Sequence, residues 1–361
     1  MSDLIIKNGL LFDGTGRESF SADVRVTDGK IAEITDPGTL QGDGPSVIDA
    51  KGYAVLPALV YLAGDEPVSY PSFRSDMAEQ LIRKGYGVIA AFLEGESPFP
   101  RSVPEMTALR NRRLKPDEIE AWQAGTLAKW MRLFQDSSHP LPVLPFTGFG
   151  PMHRGVIGPL KRTPWPDEIR LEEYLLQQSF EQGSWGLSVS IRAEGPGAVS
   201  PEELAALARL CYVWDRTLVL TIDPAIAEKE KVGSVIAAAS ETGARVFLRK
   251  DRDESQDALI RSVCRDPVFE EELLSGEGKT LTEEISDRTM RLFGALGMRD
   301  RGAILPGLRG DLMICPAERV SEVIGGRAEP SALLIGGSRV FGEGRVLKST
   351  GSAFVLRIPE E

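Results

Sequence analysis

Residues 51–65 read KGYAVLPALVYLAGD, an apolar run that ends at Ala63, Gly64 and Asp65. An apolar run of this length, with a turn signal at each end, predicts a buried β-strand. The pattern of the chain differs on the two sides of this strand. The stretch therefore separates two kinds of structure.

Residues 3–57 alternate short apolar runs with Asn-Gly and Asp-Gly turn signals, a pattern typical of β-hairpins. From residue 58 to about 250, apolar strands alternate with longer amphipathic stretches, which predicts βα repeats in a parallel sheet or barrel. The predicted strands of this part are 88–92, 141–146, 186–190, 218–222 and 245–248. The predicted helices are 75–83, 116–134, 171–181, 201–214 and 233–242.

The chain after Lys250 is charged and helical, and it contains no convincing strand before residues 311–315. A barrel of this kind has eight strands, so here it is predicted to be short by about two. Short strands return at 333–340 and 354–357. An incomplete barrel exposes strand edges that another element or another chain must cover.

The composition excludes several classes of function. The chain has 361 residues, of which 42% are hydrophobic, and a formal net charge of −11, so it forms a large core and lacks the basic surface that nucleic-acid binding requires. No two of its three cysteines have the spacing of a metal-binding or redox pair. No apolar run approaches the length of a membrane-spanning helix, about 18 residues. We expect a cytoplasmic protein with reduced thiols and with neither nucleic-acid nor membrane partners.

Four motifs, in this order and spacing, resemble the D-aminoacylase (N-acyl-D-amino-acid deacylase) branch of the amidohydrolase superfamily. They are Ile5-Ile6-Lys7-Asn8-Gly9 with Asp13-Gly14-Thr15-Gly16, Gly183-Ser184-Trp185-Gly186-Leu187-Ser188, Ser200-Pro201-Glu202-Glu203-Leu204, and Gly297-Met298-Arg299-Asp300-Arg301-Gly302 with the return to Asp311. The resemblance implies an α/β fold: a truncated (β/α) barrel over residues 58–298 and one composite β-sandwich formed by residues 1–57 and 299–361. In such barrels the active site lies at the C-terminal ends of the strands.

The resemblance also implies a binuclear zinc site, and its ligands are replaced in this chain. The positions that correspond to those ligands hold Ala63, Asp65, Glu94, Thr221-Ile222 and Arg249-Lys250. The whole chain has only two histidines, His139 and His153, whereas a site of this kind uses about four. We therefore expect no metal and no cofactor.

The replacements suggest an acid–base site at the strand ends. A carboxylate pair beside a lysine can transfer protons, because burial and like charge raise a carboxyl pKa while burial lowers that of a lysine. We predict Asp65, Glu94 and Lys250 as catalytic residues. The alternative is a set of solvated loop residues, or an ion-pair network that fills the vacated metal cavity.

We predict that five further residues bind substrate: His153, Ser188, Arg192, Asp223 and Arg249. Arg192 is suited to clamp a carboxylate, and His153, in a turn-rich loop at the barrel mouth, to act as a base. The alternatives are an exposed charged loop for Arg192, an ordinary loop residue for His153 and a helix cap for Asp223.

The sequence thus favours a metal-independent, amidohydrolase-like enzyme that acts on a small amide-like or amino-acid-derived ligand. The alternative is a non-catalytic relative that serves as a scaffold or regulatory partner. The predicted opening in the barrel favours a homodimer, or another partner, that covers it.

Overall fold

The computed structural model describes residues 4–42, 46–64, 76–102, 124–135, 141–158, 162–191, 198–222, 229–249, 254–264 and 266–347. Its strands are β1 Leu4–Leu11, β2 Phe20–Thr27, β3 Lys30–Thr35, β4 Val47–Asp49, β5 Tyr53–Pro57, β6 Leu59–Leu62, β7 Tyr86–Ala91, β8 Val143–Pro145, β9 Thr147–Gly148, β10 Gly186–Ile191, β11 Thr217–Ile222, β12 Arg245–Leu248, β13 Val268–Phe269, β14 Leu312–Pro316, β15 Ala332–Ile335, β16 Ser338–Gly342 and β17 Arg345–Val346.

The helices are α1 Asp76–Arg83, α2 Leu127–Gln135, α3 Phe149–Ile157, α4 Pro166–Glu181, α5 Pro201–Val213, α6 Lys229–Ser240, α7 Glu254–Val263, α8 Glu270–Leu274, α9 Leu281–Ser286, α10 Leu292–Ala295 and α11 Val320–Ile324. A π-helical turn, Asp287–Arg291, joins α9 to α10, and a 3-10 turn, Ala317–Arg319, precedes α11. Among the described residues, no helix has both the length and the apolar character needed to cross a membrane.

The two ends of the chain form one nine-stranded sheet, with β17-β16-β15-β14-β5-β1-β2-β3 in order and β4 beside β1. Antiparallel pairing of β14 with β5 joins the C-terminal strands to the N-terminal ones. Successive side chains point to opposite faces, so Val55 lies in a core made by the two terminal segments of the chain, whereas Leu56 packs on the barrel side with Ile89. The predicted strand at 354–357 lies outside the described residues.

The middle of the chain forms parallel strands in barrel order, β6-β7-β8 followed by β9-β10-β11-β12-β13. The backbone between β8 and β9 links the two groups, because Phe146 N donates to Ala91 O at 3.0 Å and Trp185 N donates to Pro145 O at 2.8 Å. Counting β8 and β9 as one, the described residues contribute seven strands to the barrel. The fold class implied by the resemblance is therefore confirmed.

One strand of the barrel was missed from sequence. Val268–Phe269 pairs in parallel with β12. A strand of two residues is too short to show the alternation of apolar and polar side chains that identifies a strand in a sequence. Every residue from 266 to 347 is described, and between β13 and β14 none belongs to a further strand. The described part of the chain therefore holds no eighth barrel strand. The barrel is short by one strand there, whereas the sequence predicted a shortfall of about two.

The segment from Leu281 to Met298 closes the open side. The π-helical turn contacts β6, the first strand of the barrel, and α10 contacts β12, the neighbour of its last strand β13, so the segment lies across the open side. Leu292, Phe293 and Leu296 pack into the barrel interior with residues of the strands, including Val60 and Phe247. A part of this chain thus supplies the cover that the missing strand requires.

Local sequence accounts for where the helices begin. At α5, Ser200 Oγ accepts from Glu203 N, and a Glu203 carboxylate oxygen accepts from Ser200 N. Such a capping box satisfies two backbone donors that a helix start would otherwise leave unpaired. Thr280 and Glu283 do the same at α9. All three cysteines lie within the described residues, where each is buried and none forms a disulfide.

Candidate active site

The loop after β7, residues 92–97, crosses the mouth of the barrel. Leu93 is buried among the interior side chains, and its N–H donates to Ala63 O beyond the end of β6 at 3.2 Å. On the far side, Thr221 Oγ1 at the end of β11 donates to Leu93 O, also at 3.2 Å. Main chain and the Leu93 side chain therefore occupy the centre of the mouth.

Glu94 stands beside this crossing, against the end of β6. A Cβ built at Gly64 would overlap the Glu94 carboxylate, so the carboxylate lies directly over the Gly64 backbone. The Glu94 side chain is 37% exposed, and its Oε1 is 3.6 Å from Nη1 of Arg249, whose side chain is 3% exposed. The loop thus presents one part-exposed carboxylate to solvent at the position of the replaced ligands.

Arg249 joins Glu94 to a second carboxylate. It follows β12 directly, and its Nε donates to Glu270 Oε2 at 2.8 Å. Glu270 follows β13 directly and is almost fully buried. The C-terminal ends of parallel strands meet at one edge of a barrel, which is why side chains from three strand ends converge at this point.

Ser188 ties the Glu94 loop to the barrel wall. Its Oγ accepts from Gly95 N at 3.2 Å and donates to Thr147 O at 3.4 Å, and the side chain is fully buried. Gly95 has a φ of 91° and packs so close to Ser190 that a Cβ would lie 2.8 Å from the Ser190 backbone nitrogen. Ser188 thus supports the loop, and its predicted role in substrate binding stays a prediction.

His153 is not in a loop at the mouth, as the sequence suggested. It lies in α3 and is buried beside Glu172 of α4 and Glu203 of α5. Its Nδ1 is 3.1 Å from Glu172 Oε1 and 2.6 Å from Glu203 Oε1. The Gly-Pro pair that resembled a turn opens the helix instead, because proline in a first helical turn costs no hydrogen bond.

The buried cluster of His153, Glu172 and Glu203 has shifted pKa values. Burial by itself would lower the pKa of His153, but hydrogen bonds to and charges of the two glutamates raise it to about 9. Burial, together with the charge of Glu203, raises the pKa of Glu172. Both shifts arise because three titratable groups are buried against one another.

Four predicted site residues, Asp65, Arg192, Asp223 and Lys250, lie outside the described residues. The expected approach of Glu94 to Lys250 thus stays a prediction, whereas the neighbour that the structure shows for Glu94 is Arg249. Sequence reasoning missed Glu270, Glu172 and Glu203 as site residues. Glu270 was detectable only by recognising β13, because it is the residue that follows that strand.

The described residues at the mouth do not suit a binuclear zinc centre. Ala63 has no ligand atom, and the Thr221 hydroxyl is used by Leu93 O. The guanidinium of Arg249 beside Glu94 is a cation that cannot act as a metal ligand. A site for two dications needs several anionic or neutral donors, and this one holds a positive charge instead.

Comparisons with known proteins give distant relatives. No family model matches the chain. It is 24% identical over 208 residues to an N-acyl-D-aspartate deacylase of Alcaligenes xylosoxydans xylosoxydans, a match that covers 56% of this chain and 39% of that protein. A stretch of 59 residues is 42% identical to an adenine deaminase of Halalkalibacterium halodurans, 10% of that protein's length. The chain thus matches well under two thirds of either curated relative.

Solved structures match nearly the whole chain. D-aminoacylase superposes with a TM-score of 0.74 at 14% identity, covering 99% of this chain and 100% of that one. The N-acyl-D-glutamate deacylase of Bordetella bronchiseptica, solved with zinc and a phosphonate inhibitor, gives 0.73 at 15% identity, covering 97% and 98%. The L-hydantoinase of Arthrobacter aurescens gives 0.64 at 15% identity, covering 99% and 100%. The chain therefore has the amidohydrolase fold, in the form found in the D-aminoacylases.

Proposed function

We propose that this chain is a metal-independent, amidohydrolase-like enzyme that binds a small amide-like or amino-acid-derived ligand at the mouth of its barrel. The observation that carries the proposal is Glu94, a part-exposed carboxylate over the Gly64 backbone at the end of β6. The relatives named above as deacylases and hydantoinase support the class of ligand. The donor set at the mouth supports a reaction without zinc.

In this proposal Glu94 acts as the general base. Its carboxylate accepts a proton from a water molecule, and the water oxygen adds to the amide carbon. The carbon–nitrogen bond then breaks, and the proton passes to the departing nitrogen, which leaves as an amine beside a carboxylic acid. Lys250 and Asp65 are the proposed partners in proton transfer. Arg249, Arg192 and Asp223 are the proposed contacts of the ligand.

A ligand screen tests this function. N-acyl amino acids and lactams are added to the purified chain, and its melting temperature is followed. We expect at least one compound to raise it in a concentration-dependent way, because a ligand that binds only the folded state stabilises that state. Glu94→Gln should change the size of the rise in melting temperature that this compound causes. A screen in which no compound shifts the melting temperature contradicts a ligand site at the mouth.

The second candidate is a non-catalytic scaffold, and one observation favours it. Leu93 and its hydrogen bonds to Ala63 and Thr221 close the centre of the mouth, and Arg249 neutralises Glu94. In this interpretation the site is an ion-pair network that stabilises the fold. The chain then works through its surface, as a homodimer or with another partner, and we propose a cytoplasmic location for either function.

A further inference from the structure

We propose that His153, Glu172 and Glu203 form a binding site for one divalent transition-metal ion, between three helices and outside the barrel mouth. Each residue comes from a different helix, α3, α4 and α5, and all three are buried. The site is independent of the proposed enzyme function.

The distances suit a single ion. His153 offers one ring nitrogen, and Glu172 and Glu203 each offer one carboxylate oxygen. These three atoms all lie within 4.8 Å of one another. Zinc binds nitrogen and oxygen ligands at about 2.0–2.2 Å, which places the donor atoms of one ion about 3–4 Å apart. The 3.1 Å separation of His153 Nδ1 and Glu172 Oε1 already falls in this range. The 2.6 Å separation from Glu203 Oε1 has to lengthen by about 0.5 Å.

Glu172 supplies an independent reason for a ligand. Its side chain is completely buried, and Oε2 has no hydrogen-bond partner among the described residues. Buried carboxylate oxygens are normally paired, because leaving one without a partner costs its full desolvation. An ion bound between the three side chains gives this oxygen a partner through bidentate coordination.

The charge of the cluster is compatible with a bound dication. Two carboxylates face one imidazole, and the nearby arginines of described residues form pairs elsewhere, Arg154 with Glu96 and Arg162 with Glu168. A dication with a neutral imidazole balances both carboxylates. Buried charges are stable only when they are compensated in this way.

Two features hold the ligands in place. Glu203 lies in the first turn of α5, where its Oε2 accepts from Ser200 N at 3.1 Å, so Oε1 is left for the ion. The Phe149 ring packs 4.9 Å from the His153 ring. Such outer contacts orient metal ligands and support affinity. One imidazole and two carboxylates favour zinc, cobalt(II) or manganese(II) over calcium, which prefers oxygen alone.

The experiment is a zinc titration of chelator-treated protein, followed by equilibrium dialysis and by melting temperature. We expect about one zinc ion per chain and a rise in melting temperature of about 3 °C or more at saturation. His153→Arg and Glu172→Gln should lose both responses. His153→Arg keeps a positive charge between the glutamates but cannot bind metal, so it separates ligation from charge. Glu94→Gln, at the barrel mouth, should bind zinc like the unaltered chain.

Two results would overturn the site. The first is an unaltered chain that binds no zinc in dialysis and whose melting temperature does not respond to zinc. If Glu172→Gln is then at least as stable as the unaltered chain, a proton on Glu172 is what neutralises the cluster. The second is zinc binding that persists in both His153→Arg and Glu172→Gln, whatever the behaviour of Glu94→Gln. If one variant fails to fold, the other still decides the outcome.

Discussion

Glu94 is the residue on which the catalytic proposal depends. We expect Glu94→Gln to reduce any amide hydrolysis by about 100-fold or more, because glutamine keeps the shape of the side chain but cannot accept the proton. The measurement is kcat/KM together with the melting temperature. Glu96→Gln is a matched control from the same loop, since Glu96 is part-exposed and paired with Arg154. Equal activity of both variants and the unaltered chain would mean that Glu94 is not the general base, and no activity in any of the three would favour the scaffold.

Arg249 should matter for stability whatever the function is. Its side chain is 3% exposed between Glu94 and Glu270, so Arg249→Met leaves the buried Glu270 without its cation. We expect a loss of about 3–5 kcal/mol in the free energy of unfolding, measured by urea denaturation. Adding Glu270→Gln should recover much of that loss.

An exposed ion pair provides the control for Arg249. Arg170 pairs with Asp167 on the surface of α4, and Arg170→Met should change stability by less than about 0.5 kcal/mol. If Arg249→Met is as mild as this control, the ion pairs at the mouth do not stabilise the fold, and the network interpretation of the site is wrong.

At the scale of elements, the segment from Leu281 to Met298 replaces the missing strand as the cover of the barrel interior. Phe293 is 2% exposed and packs in that interior. We expect Phe293→Ala to cost about 3–5 kcal/mol of unfolding free energy, measured by urea denaturation, because it leaves a cavity. Met290, 44% exposed in the same segment, is the control, and Met290→Ala should be nearly neutral. Equal effects would mean that the segment does not seal the barrel.

At the scale of the whole molecule, the open side of the barrel leads us to predict a homodimer. The edges of β6 and β13 have no neighbouring strand among the described residues of this chain, and unpaired edges are prone to association. Light scattering should give about twice the 39.3 kDa chain mass. A mass of 39.3 kDa at every concentration would mean that the cover provided by residues 281–298 is sufficient.

Local pattern determined most of the elements. The strand at 245–248 and the helix that begins at Pro201 lie where the sequence predicts them, because apolar alternation and a capping box report directly on burial and on helix starts. The order of motifs along the chain also predicted the fold, which the solved structures confirm. The replacement of the zinc ligands stays a prediction, made from the sequence through its resemblance to the D-aminoacylases.

Only the tertiary structure decided which charged groups meet. His153 is separated by 19 residues from Glu172 and by 50 from Glu203, and no local pattern predicts that three helices bring them together. The pairing of Glu94 with Arg249, and of Arg249 with Glu270, depends in the same way on the convergence of strand ends. Periodicity reports whether a side chain is buried, whereas its partner depends on how distant elements pack against one another.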